Sequence, residues 1–430
     1  FGRFIAAGFY YKTFMGIPPF EWGQGTRIWM LFERFIRKAA GLGKSSRLPD
    51  PDYYEHLHTH TDILVIGSGP SGLQAAISAA KTGKDVLLVE QDYMIGGSFL
   101  NQQDKKELEE QEKLLKKLGV TILTHTTAFG LYDNTTVGLI EIIPSEGRKD
   151  LAKKPRQRFN ICRATNVILA TGAIERVYAF INNDLPGIMS VNSARAYLNR
   201  YGILISKNIV ICTNNDSAYE TALELKNAGA TVTILEIREQ IGDRLLRQIS
   251  GTGINLLLGS GVAKAEKGFN NSTISRIKIV EMTDKGWRYA GTLFCDCLLI
   301  SAGWSPTIHL ASHQNFPINW NEENACFISF GDEKSVFLVG SAAGIWQQKQ
   351  CINSAKELFK YNSKQKYKPS LIKGGWETPI APLYEIRLAS IKGKAFVDPQ
   401  NDVTTSDIRL AHQEGFTSVE HMKRYTTLGM

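Results

Sequence analysis

A glycine-rich turn is the first feature of the sequence that could do chemistry. It reads GSGPSG over residues 67–72, follows an apolar segment and precedes a segment of helical character. In such a turn Gly67 permits the tight bend, Gly69 lets the backbone approach a pyrophosphate, and Gly72 lets helix and strand pack closely. A helix that begins near Ser71 offers free N–H groups and the positive end of its dipole to a diphosphate. The pattern predicts a dinucleotide site, and the alternative is a structural turn without a ligand.

Glu90 indicates which dinucleotide this turn would bind. It ends the next apolar segment, where an acidic residue accepts hydrogen bonds from an adenosine ribose. A carboxylate here repels a 2′-phosphate, and the next two residues are Gln91 and Asp92 rather than arginine. We therefore expect Glu90, Gln91 and Asp92 to line the adenosine end of the site, and NAD or FAD to be preferred over NADP.

Three further segments are typical of flavoproteins that have two dinucleotide-binding domains. Gly96-Gly97-Ser98 follows Glu90 closely, an apolar strand ends in ILATGA (168–173), and another ends in GSAAG (340–344). Taken alone, the ATGA segment also fits an ordinary strand end with a glycine turn. We expect these segments to supply further contacts to the dinucleotide, at Gly97, Ser98, Gly172, Gly340, Ala342 and Gly344.

Two departures from that class bear on the cofactor. In the class, the last strand ends in Gly-Asp, whose carboxylate holds the ribityl chain of a flavin, and here Gly340 is followed by Ser341. A second strand–helix–strand unit has TNNDSA (213–218) where a glycine-rich turn would lie, so polar side chains stand where backbone should approach a pyrophosphate. We expect one bound dinucleotide, NAD, at the first unit, and a second unit that is degenerate.

Neither a catalytic constellation nor a metal site is predicted for this chain. Cys295 and Cys297 lie two apart on a predicted strand and should share one face. No second ligand pair accompanies them, so a buried-strand role is favoured over redox or metal chemistry. His56, His58 and His60 alternate in the lead-in to the first strand, which favours a polar surface segment over a metal site.

The elements that position these residues indicate an α/β protein. Apolar strands and helices over 62–90 and 208–236 predict two Rossmann-like dinucleotide-binding domains of the three-layer FAD/NAD(P)-binding flavoprotein type. The Lys/Pro-rich stretch 363–392 is predicted to be a linker that crosses a surface. The predicted organisation is an aromatic arm with a docking helix rather than a membrane-surface helix (1–60), a first domain (61–175 with 290–360), a degenerate second domain (176–289), and a linker with the start of another domain (361–430).

Composition excludes several other classes of protein. A chain of 430 residues that is 43% hydrophobic can bury real cores, so disorder is excluded as its main state. Six cysteines form no disulfide framework and suggest a reducing, cytoplasmic location. The net charge of +8 comes from scattered basic residues without a nucleic-acid-binding signature, and no run of about 18 apolar residues occurs. We therefore expect neither nucleic-acid nor membrane partners.

Seven blocks of sequence carry a resemblance to a known family. They are AGFYYKTFM (7–15), IRKAAGLG (36–43), VIGSGPSGLQAA (65–76), TTAFGLYD (126–133), NDSAY (215–219), ISAGWSPTIHL (300–310) and DPQNDVTTSDIRLAHQEGFTSVEHMKRYTTLGM (398–430). The last block is more specific than any Rossmann fingerprint. In these blocks, and in their order, the chain resembles the alpha subunit of heterotetrameric sarcosine oxidase.

This resemblance implies a place in a larger assembly. The family's alpha subunit carries a ferredoxin-like domain before this region and an aminomethyltransferase-like, folate-binding domain after it, so we expect both ends to be cuts in a longer chain. In the family, alpha binds NAD, beta holds FAD and the amine substrate, and a covalent FMN lies between alpha and beta. The complex, which also has gamma and delta subunits, demethylates sarcosine to glycine, makes hydrogen peroxide and transfers the one-carbon unit to tetrahydrofolate. The resemblance also implies a nucleotide contact at Ala128.

Two other interpretations stay open at this point. One is the alpha subunit of a related amino-acid or opine dehydrogenase, although such subunits more often carry iron–sulfur cysteines, and clustered cysteines are missing here. The other is a non-catalytic scaffold subunit that bound NAD merely stabilises.

Overall fold

The computed structural model describes residues 34–35, 37–39, 41, 46–50, 52–144, 154–268, 273–329, 331, 334–360 and 376–429. The chain divides into a smaller part, residues 1–53 with 150–153, and a larger part, residues 54–149 with 154–430. In the smaller part, residues 34–35 and 37–39 are helical. Most of the predicted aromatic arm and docking helix lies outside the described residues. All numbered elements below lie in the larger part.

In the larger part, strand–helix–strand segments are interspersed with runs of consecutive strands. The strands are β1 Tyr54–Ile66, β2 Val86–Val89, β3 Thr121–Leu123, β4 Thr126–Tyr132, β5 Thr136–Ile142, β6 Gln157–Leu169, β7 Ala173–Glu175, β8 Ile188–Ser190, β9 Asn208–Thr213, β10 Thr231–Glu236, β11 Asn255–Leu257, β12 Ser260–Lys267, β13 Ile274–Thr283, β14 Gly286–Phe294, β15 Cys297–Ser301, β16 Trp304–Pro306, β17 Ile318–Asn321, β18 Cys326–Ser329, β19 Val336–Leu338, β20 Phe396–Asp398 and β21 Val403–Thr404. The helices are α1 Pro70–Ala80, α2 Lys106–Lys117, α3 Val191–Tyr201, α4 Ser217–Asn227, α5 Asp243–Ile249, α6 His309–His313, α7 Gln348–Leu358, α8 Thr405–Gln413 and α9 Val419–Thr426.

The predicted glycine turn lies at the edge of the first sheet that is formed by the carboxyl ends of its parallel strands. Its strand order is β3-β2-β1-β6-β5-β4, with β19 beside β6. Strands β1, β2, β3, β6 and β19 run parallel, and β4 and β5 form an antiparallel meander on β6. Continuous apolar runs such as Ile63–Ile66 suit a parallel sheet that is covered on both faces. Because these strands are parallel, the residues that follow β1, β2, β6 and β19 gather at the same edge.

The second sheet is parallel throughout and has the order β11-β10-β9-β15-β8. A separate antiparallel sheet of order β12-β13-β14 follows β11 in the chain. The predicted boundary, which gave residues from 290 onward to the first domain, is corrected by this pairing. Strand β15 pairs with β9 from Cys297 opposite Ile209 to Ser301 opposite Thr213, so it belongs to the second sheet. An apolar run predicts a buried strand without showing which sheet the strand joins.

Both faces of each parallel sheet are covered by apolar clusters. In the first sheet, Val65 and Leu88 pack with Leu73 of α1 on one face. Leu64 and Leu169 pack in a second cluster on the opposite face. This alternation follows from the period of two along a strand.

The two neighbouring cysteines occupy different clusters, so the prediction that they share a face is wrong. Cys295 packs with Tyr178, and Cys297 packs with Leu299 in another cluster. The reason is that β14 ends at Phe294 and β15 begins only at Cys297, so no continuous strand carries both thiols. Burial raises the pKa of each thiol to about 12, which leaves both unreactive at neutral pH.

The later part of the predicted linker is structured. Ile380 and Ile386 are buried, and Ile386 packs into the cluster that contains Tyr178. The described residues 376–392 of the predicted linker 363–392 form neither a helix nor a numbered strand and are mostly exposed or half-buried, but these two buried side chains anchor them to the protein. Beyond it, Thr404 and Asp407 form a reciprocal capping box at the start of α8. None of the helices that the structure describes is both long and apolar enough to cross a bilayer.

Candidate functional site

The three glycines of the turn differ in the space around them. Gly67 has a φ of +95°, and a Cβ there would lie 2.4 Å from the carbonyl oxygen of Ala170. A Cβ on Gly72 would lie 1.9 Å from the carbonyl oxygen of Gly67, so α1 rests directly on the turn. A Cβ on Gly69 would meet no atom within 4 Å. Next to the N-terminus of α1, where Ser71 is buried, the backbone of Gly69 therefore faces open space of the kind that a phosphate group needs.

Glu90 fixes the turn and keeps one acceptor position free. Its Oε2 accepts hydrogen bonds from the Ser68 backbone N–H at 2.8 Å and the Ser68 hydroxyl at 2.6 Å. Its Oε1 accepts the Asp92 backbone N–H at 2.9 Å. A carboxylate has about four acceptor positions, so one on Oε1 is left for a hydroxyl. The side chain of Gln91 is exposed beside it.

The loop Gly96-Gly97-Ser98 lies against the same turn. The backbone N–H of Gly96 donates to the carbonyl oxygen of Ser68 at 3.1 Å. Gly97 has a φ of +52°, and a Cβ there would lie 2.7 Å from the Cα of Gly69, a contact that only glycine permits. Ser98 is exposed in the 3₁₀ turn Gly97–Asn101. The structure thus brings Gly97 into contact with Gly69.

The GSAAG loop meets the N-terminus of α1 from the other side. Gly340 has a φ of +64°, and a Cβ there would lie 1.9 Å from the hydroxyl of Ser71. Gly344, with a φ of +77°, ends the loop. Ala342 is fully buried, so its side chain packs into the core rather than facing the site. Ser341 is half-buried and brings no carboxylate to this edge.

Ala128 and Gly172 lie at the margins of the residues around the glycine turn. The N–H of Thr126, which begins β4, donates to the carbonyl oxygen of Glu90 at 2.8 Å, and Ala128 follows two residues later at an irregularity in the β4–β5 pairing. Gly172 has a φ of +72°, and a Cβ there would meet no atom within 4 Å. Ala128 is partly buried against the core cluster, whereas the backbone of Gly172 is open.

Arg200 is a charged residue near this site that the sequence did not predict. It lies on α3, and its two Nη atoms donate to the Asp92 carboxylate at 2.7 and 2.8 Å. The guanidinium also lies over Tyr93, 4.7 Å from the ring centroid, and 5.4 Å from the ring centroid of Tyr201. The hydrogen-bonded guanidinium holds the pKa of the Asp92 carboxyl below its ordinary value. No local pattern could have revealed this pair, because the partners are 108 residues apart.

Glu175 is a second unpredicted titratable group, and it lies against the ends of β8 and β15 in the second sheet. It ends β7 and accepts a hydrogen bond from the backbone N–H of Asn192, in the first turn of α3, at 2.7 Å. The hydroxyls of Ser301 and Ser190 also donate to it. Burial raises the pKa of the Glu175 carboxyl to about 7, although these hydrogen bonds oppose the shift.

The matching edge of the second sheet is closed by the protein's own side chains. Glu236 ends β10, where an acid would bind ribose, and it is fully buried. Arg238 pairs with Glu236 at 2.9 Å and with Asp216 at 2.8 Å, and all three side chains are at most 5% exposed. Burial raises the pKa of Glu236, and Arg238 opposes that shift. The charged groups that could meet a dinucleotide here are therefore already paired with one another.

A segment of the chain also covers this edge. The backbone N–H of Glu377 donates to Asp216 at 2.9 Å, and Arg238 donates to the carbonyl oxygen of Thr378 at 3.1 Å. The side-chain amide of Asn214 donates to the carbonyl oxygen of Ala381 at 2.7 Å. The polar residues of TNNDSA thus bind chain segment 377–381.

The corresponding edge of the first sheet, at the turn 67–72, by contrast fits a dinucleotide. It combines open space at Gly69, a helix N-terminus and one free acceptor on Glu90. Among the described residues, no group of three His, Cys, Asp or Glu side chains is placed to hold a metal ion. His56, His58 and His60 are residues of β1, paired with β6, rather than a lead-in to the strand.

Comparisons with known proteins agree with this architecture. A family model described as pyridine nucleotide-disulphide oxidoreductase matches residues 47–356, and one described as the sarcosine oxidase A3 domain matches residues 392–430. Among solved structures, L-proline dehydrogenase from P. horikoshii has a TM-score of 0.59 at 20% identity, over 87% of this chain and 71% of that chain. The predicted α/β fold of the FAD/NAD(P)-binding flavoprotein type is confirmed.

Relatives by sequence confirm the resemblance that the sequence blocks indicated. The alpha subunit of sarcosine oxidase from Rhizobium meliloti (strain 1021) is 38% identical over 99% of this chain, which spans 43% of that relative's length. One of the opine oxidase subunits of Rhizobium meliloti is 22% identical over 66% of this chain and 59% of the relative. The chain therefore covers less than half of the sarcosine oxidase subunit that it matches.

Proposed function

Because the chain belongs to the pyridine nucleotide-disulphide oxidoreductase family and is homologous to sarcosine oxidase alpha subunits, we propose that it is the nucleotide-binding alpha subunit of a sarcosine-oxidase-like complex. The proposed reaction is the oxidative demethylation of sarcosine to glycine, with release of hydrogen peroxide and transfer of the one-carbon unit to tetrahydrofolate. The proposed partners are a beta subunit with FAD and the amine site, and gamma and delta subunits. FMN lies between alpha and beta in this proposal, and the assembly is cytoplasmic.

The main structural support for this proposal is the open space at Gly69 together with the free hydrogen-bond acceptor position on Glu90. In the proposed complex these residues hold NAD. The N-terminus of α1 binds its diphosphate, and the Glu90 carboxylate binds a ribose hydroxyl. Ser341 supports NAD over FAD, since it brings no acid for a ribityl chain. Bound NAD would supply a nicotinamide, but in this proposal it acts as a structural ligand.

We further propose that the second Rossmann unit takes no part in hydride transfer. The buried and mutually paired side chains of Glu236, Arg238 and Asp216, which segment 377–381 covers, support this proposal. A nicotinamide dinucleotide would have to displace buried ion pairs, which is costly when one charge is left unpaired. In this proposal, electrons pass only between the flavins and oxygen in the assembled complex.

Two alternatives are less well supported. A match to the sarcosine oxidase A3 domain over 392–430 and 38% identity over 99% of the chain favour the sarcosine-oxidase-like assignment over an opine oxidase assignment. A non-catalytic scaffold role would be favoured over this proposal only if the assembled complex had no activity on sarcosine.

The experiment is to purify the assembled complex and measure peroxide formed from sarcosine, with and without tetrahydrofolate. We expect peroxide in both cases, and less free formaldehyde when tetrahydrofolate is present. Anaerobic mixing with NADH then tests the second unit, and we expect the flavin absorbance to stay unchanged. Oxidation of an opine in place of sarcosine would contradict the substrate proposal, and rapid bleaching by NADH would contradict the closed second unit.

A further inference from the structure

Asp92 and Arg200 form an ion pair beside the proposed ribose-binding carboxylate. Asp92 is joined to Glu90 directly, since its backbone N–H donates to Glu90 Oε1 at 2.9 Å. Both terminal nitrogens of Arg200 are bound to the two carboxylate oxygens of Asp92, at 2.7 and 2.8 Å. The oxygen of Glu90 that keeps a free acceptor position is therefore the one tied to this ion pair.

The arginine is held by more than its carboxylate partner. Its guanidinium lies over the rings of Tyr93 and Tyr201, at 4.7 and 5.4 Å from their centroids, and its side chain is only 14% exposed. These contacts position the guanidinium through its flat face and leave its edge to bind an anion. The Asp92 carboxylate occupies that edge and neutralises the charge.

Besides the Glu90 carboxylate, this arrangement differs from a site that accepts a 2′-phosphate because its arginine is present but already paired. An arginine edge binds phosphate and carboxylate in the same bidentate geometry. A nucleotide with a 2′-phosphate would meet the Glu90 carboxylate and a neutralised arginine, whereas a free 2′-hydroxyl meets an acceptor.

We propose that the Asp92–Arg200 pair determines nucleotide specificity at this site, because Asp92 withholds from a 2′-phosphate an arginine that is otherwise positioned to bind it. This inference rests on the proposed binding of NAD in the first unit. It assigns to Arg200, a residue of the second unit, a role in the specificity of the first.

The test is Asp92→Asn, which keeps the shape of the side chain and its acceptor for the Tyr93 backbone N–H but removes the charge. Binding of ADP-ribose and of 2′-phospho-ADP-ribose is measured by titration calorimetry at low ionic strength. In the unaltered protein we expect ADP-ribose to bind more tightly. In Asp92→Asn we expect the ratio of affinities to shift by about tenfold or more toward the phosphorylated probe, and the shift to shrink in high salt.

Two further variants separate the arginine from a general change of charge. Asp284→Asn removes an exposed carboxylate on the turn between β13 and β14 and should leave the ratio unchanged. The double variant Asp92→Asn/Arg200→Met should lose the shift, because no free guanidinium remains.

The outcomes distinguish this inference from the proposed function. If ADP-ribose binds but Asp92→Asn leaves the ratio as it was, or the double variant keeps the shift, the role of the pair is overturned while the nucleotide site stands. If neither probe binds the unaltered protein, the proposed nucleotide site fails and the inference fails with it.

Discussion

Replacing Gly69 and Gly72 one at a time should separate ligand binding from folding. Both glycines belong to the same turn, and both would gain only a methyl group. Gly69 has φ −65° and ψ −179°, which alanine adopts readily, and its Cβ would enter empty space. We expect Gly69→Ala to change the free energy of unfolding by less than about 1 kcal/mol, since a better backbone entropy offsets a poorer N-cap.

The same substitution should weaken nucleotide binding strongly. The new methyl would stand in the space that the diphosphate needs, and a hydrogen bond to a charged group contributes about 1.5–3 kcal/mol. Loss of one such bond corresponds to a roughly ten- to hundredfold weaker affinity for ADP-ribose. Gly72→Ala should instead act mainly on the stability of the fold, because its Cβ would lie 1.9 Å from the carbonyl oxygen of Gly67. We expect it to lower stability by about 3 kcal/mol.

Urea denaturation of the nucleotide-free proteins and calorimetric titration with ADP-ribose measure the two effects. A Gly69→Ala protein that binds ADP-ribose as tightly as the unaltered protein would refute the assignment of this turn to a diphosphate. A Gly72→Ala protein of unchanged stability would refute the tight contact between α1 and the turn.

Two further predictions concern charges away from this turn. Arg238→Met leaves the buried carboxylates of Glu236 and Asp216 without a cationic partner and should lower the free energy of unfolding by about 3–5 kcal/mol. Arg288→Met, in an exposed pair with Glu281, should lower it by less than about 1 kcal/mol. Equal effects in urea denaturation would contradict the buried ion pairs. Burial raises the pKa of Glu175 to about 7 in the folded protein, above its unfolded value, so its contribution to stability is complete below about pH 4.5 and is lost as the pH rises to about 7. Glu175→Gln should therefore flatten the pH dependence of the midpoint of thermal unfolding between pH 4.5 and 7, and an unchanged slope would show that Glu175 does not titrate there.

The sequence predicted those parts of the site that arise from local pattern. The turn at 67–72 and the acid at Glu90 lie within one strand–helix–strand unit, where apolar periodicity and glycine spacing determine the geometry. The loop at Gly97 follows closely and was also predicted. The degenerate character expected for TNNDSA agrees with the closed edge of the second sheet.

Features that depend on distant parts of the chain were missed. Arg200 reaches Asp92 only because α3 packs beside the 3₁₀ turn Gly97–Asn101, where Asn199 donates to the carbonyl oxygen of Asn101 at 2.9 Å. Segment 377–381 was predicted to be part of a linker, since proline and lysine mark exposed chain, yet its backbone satisfies buried polar groups of the second unit. Tertiary hydrogen bonds of this kind leave no periodic signal in a single sequence.

We propose that this chain binds one nicotinamide dinucleotide, at the first Rossmann unit, and no flavin. The most direct measurement is chromatographic quantification of the nucleotides that acid releases from the purified chain. We expect about one NAD per chain and no flavin. Stoichiometric FAD, or two dinucleotides per chain, would contradict it.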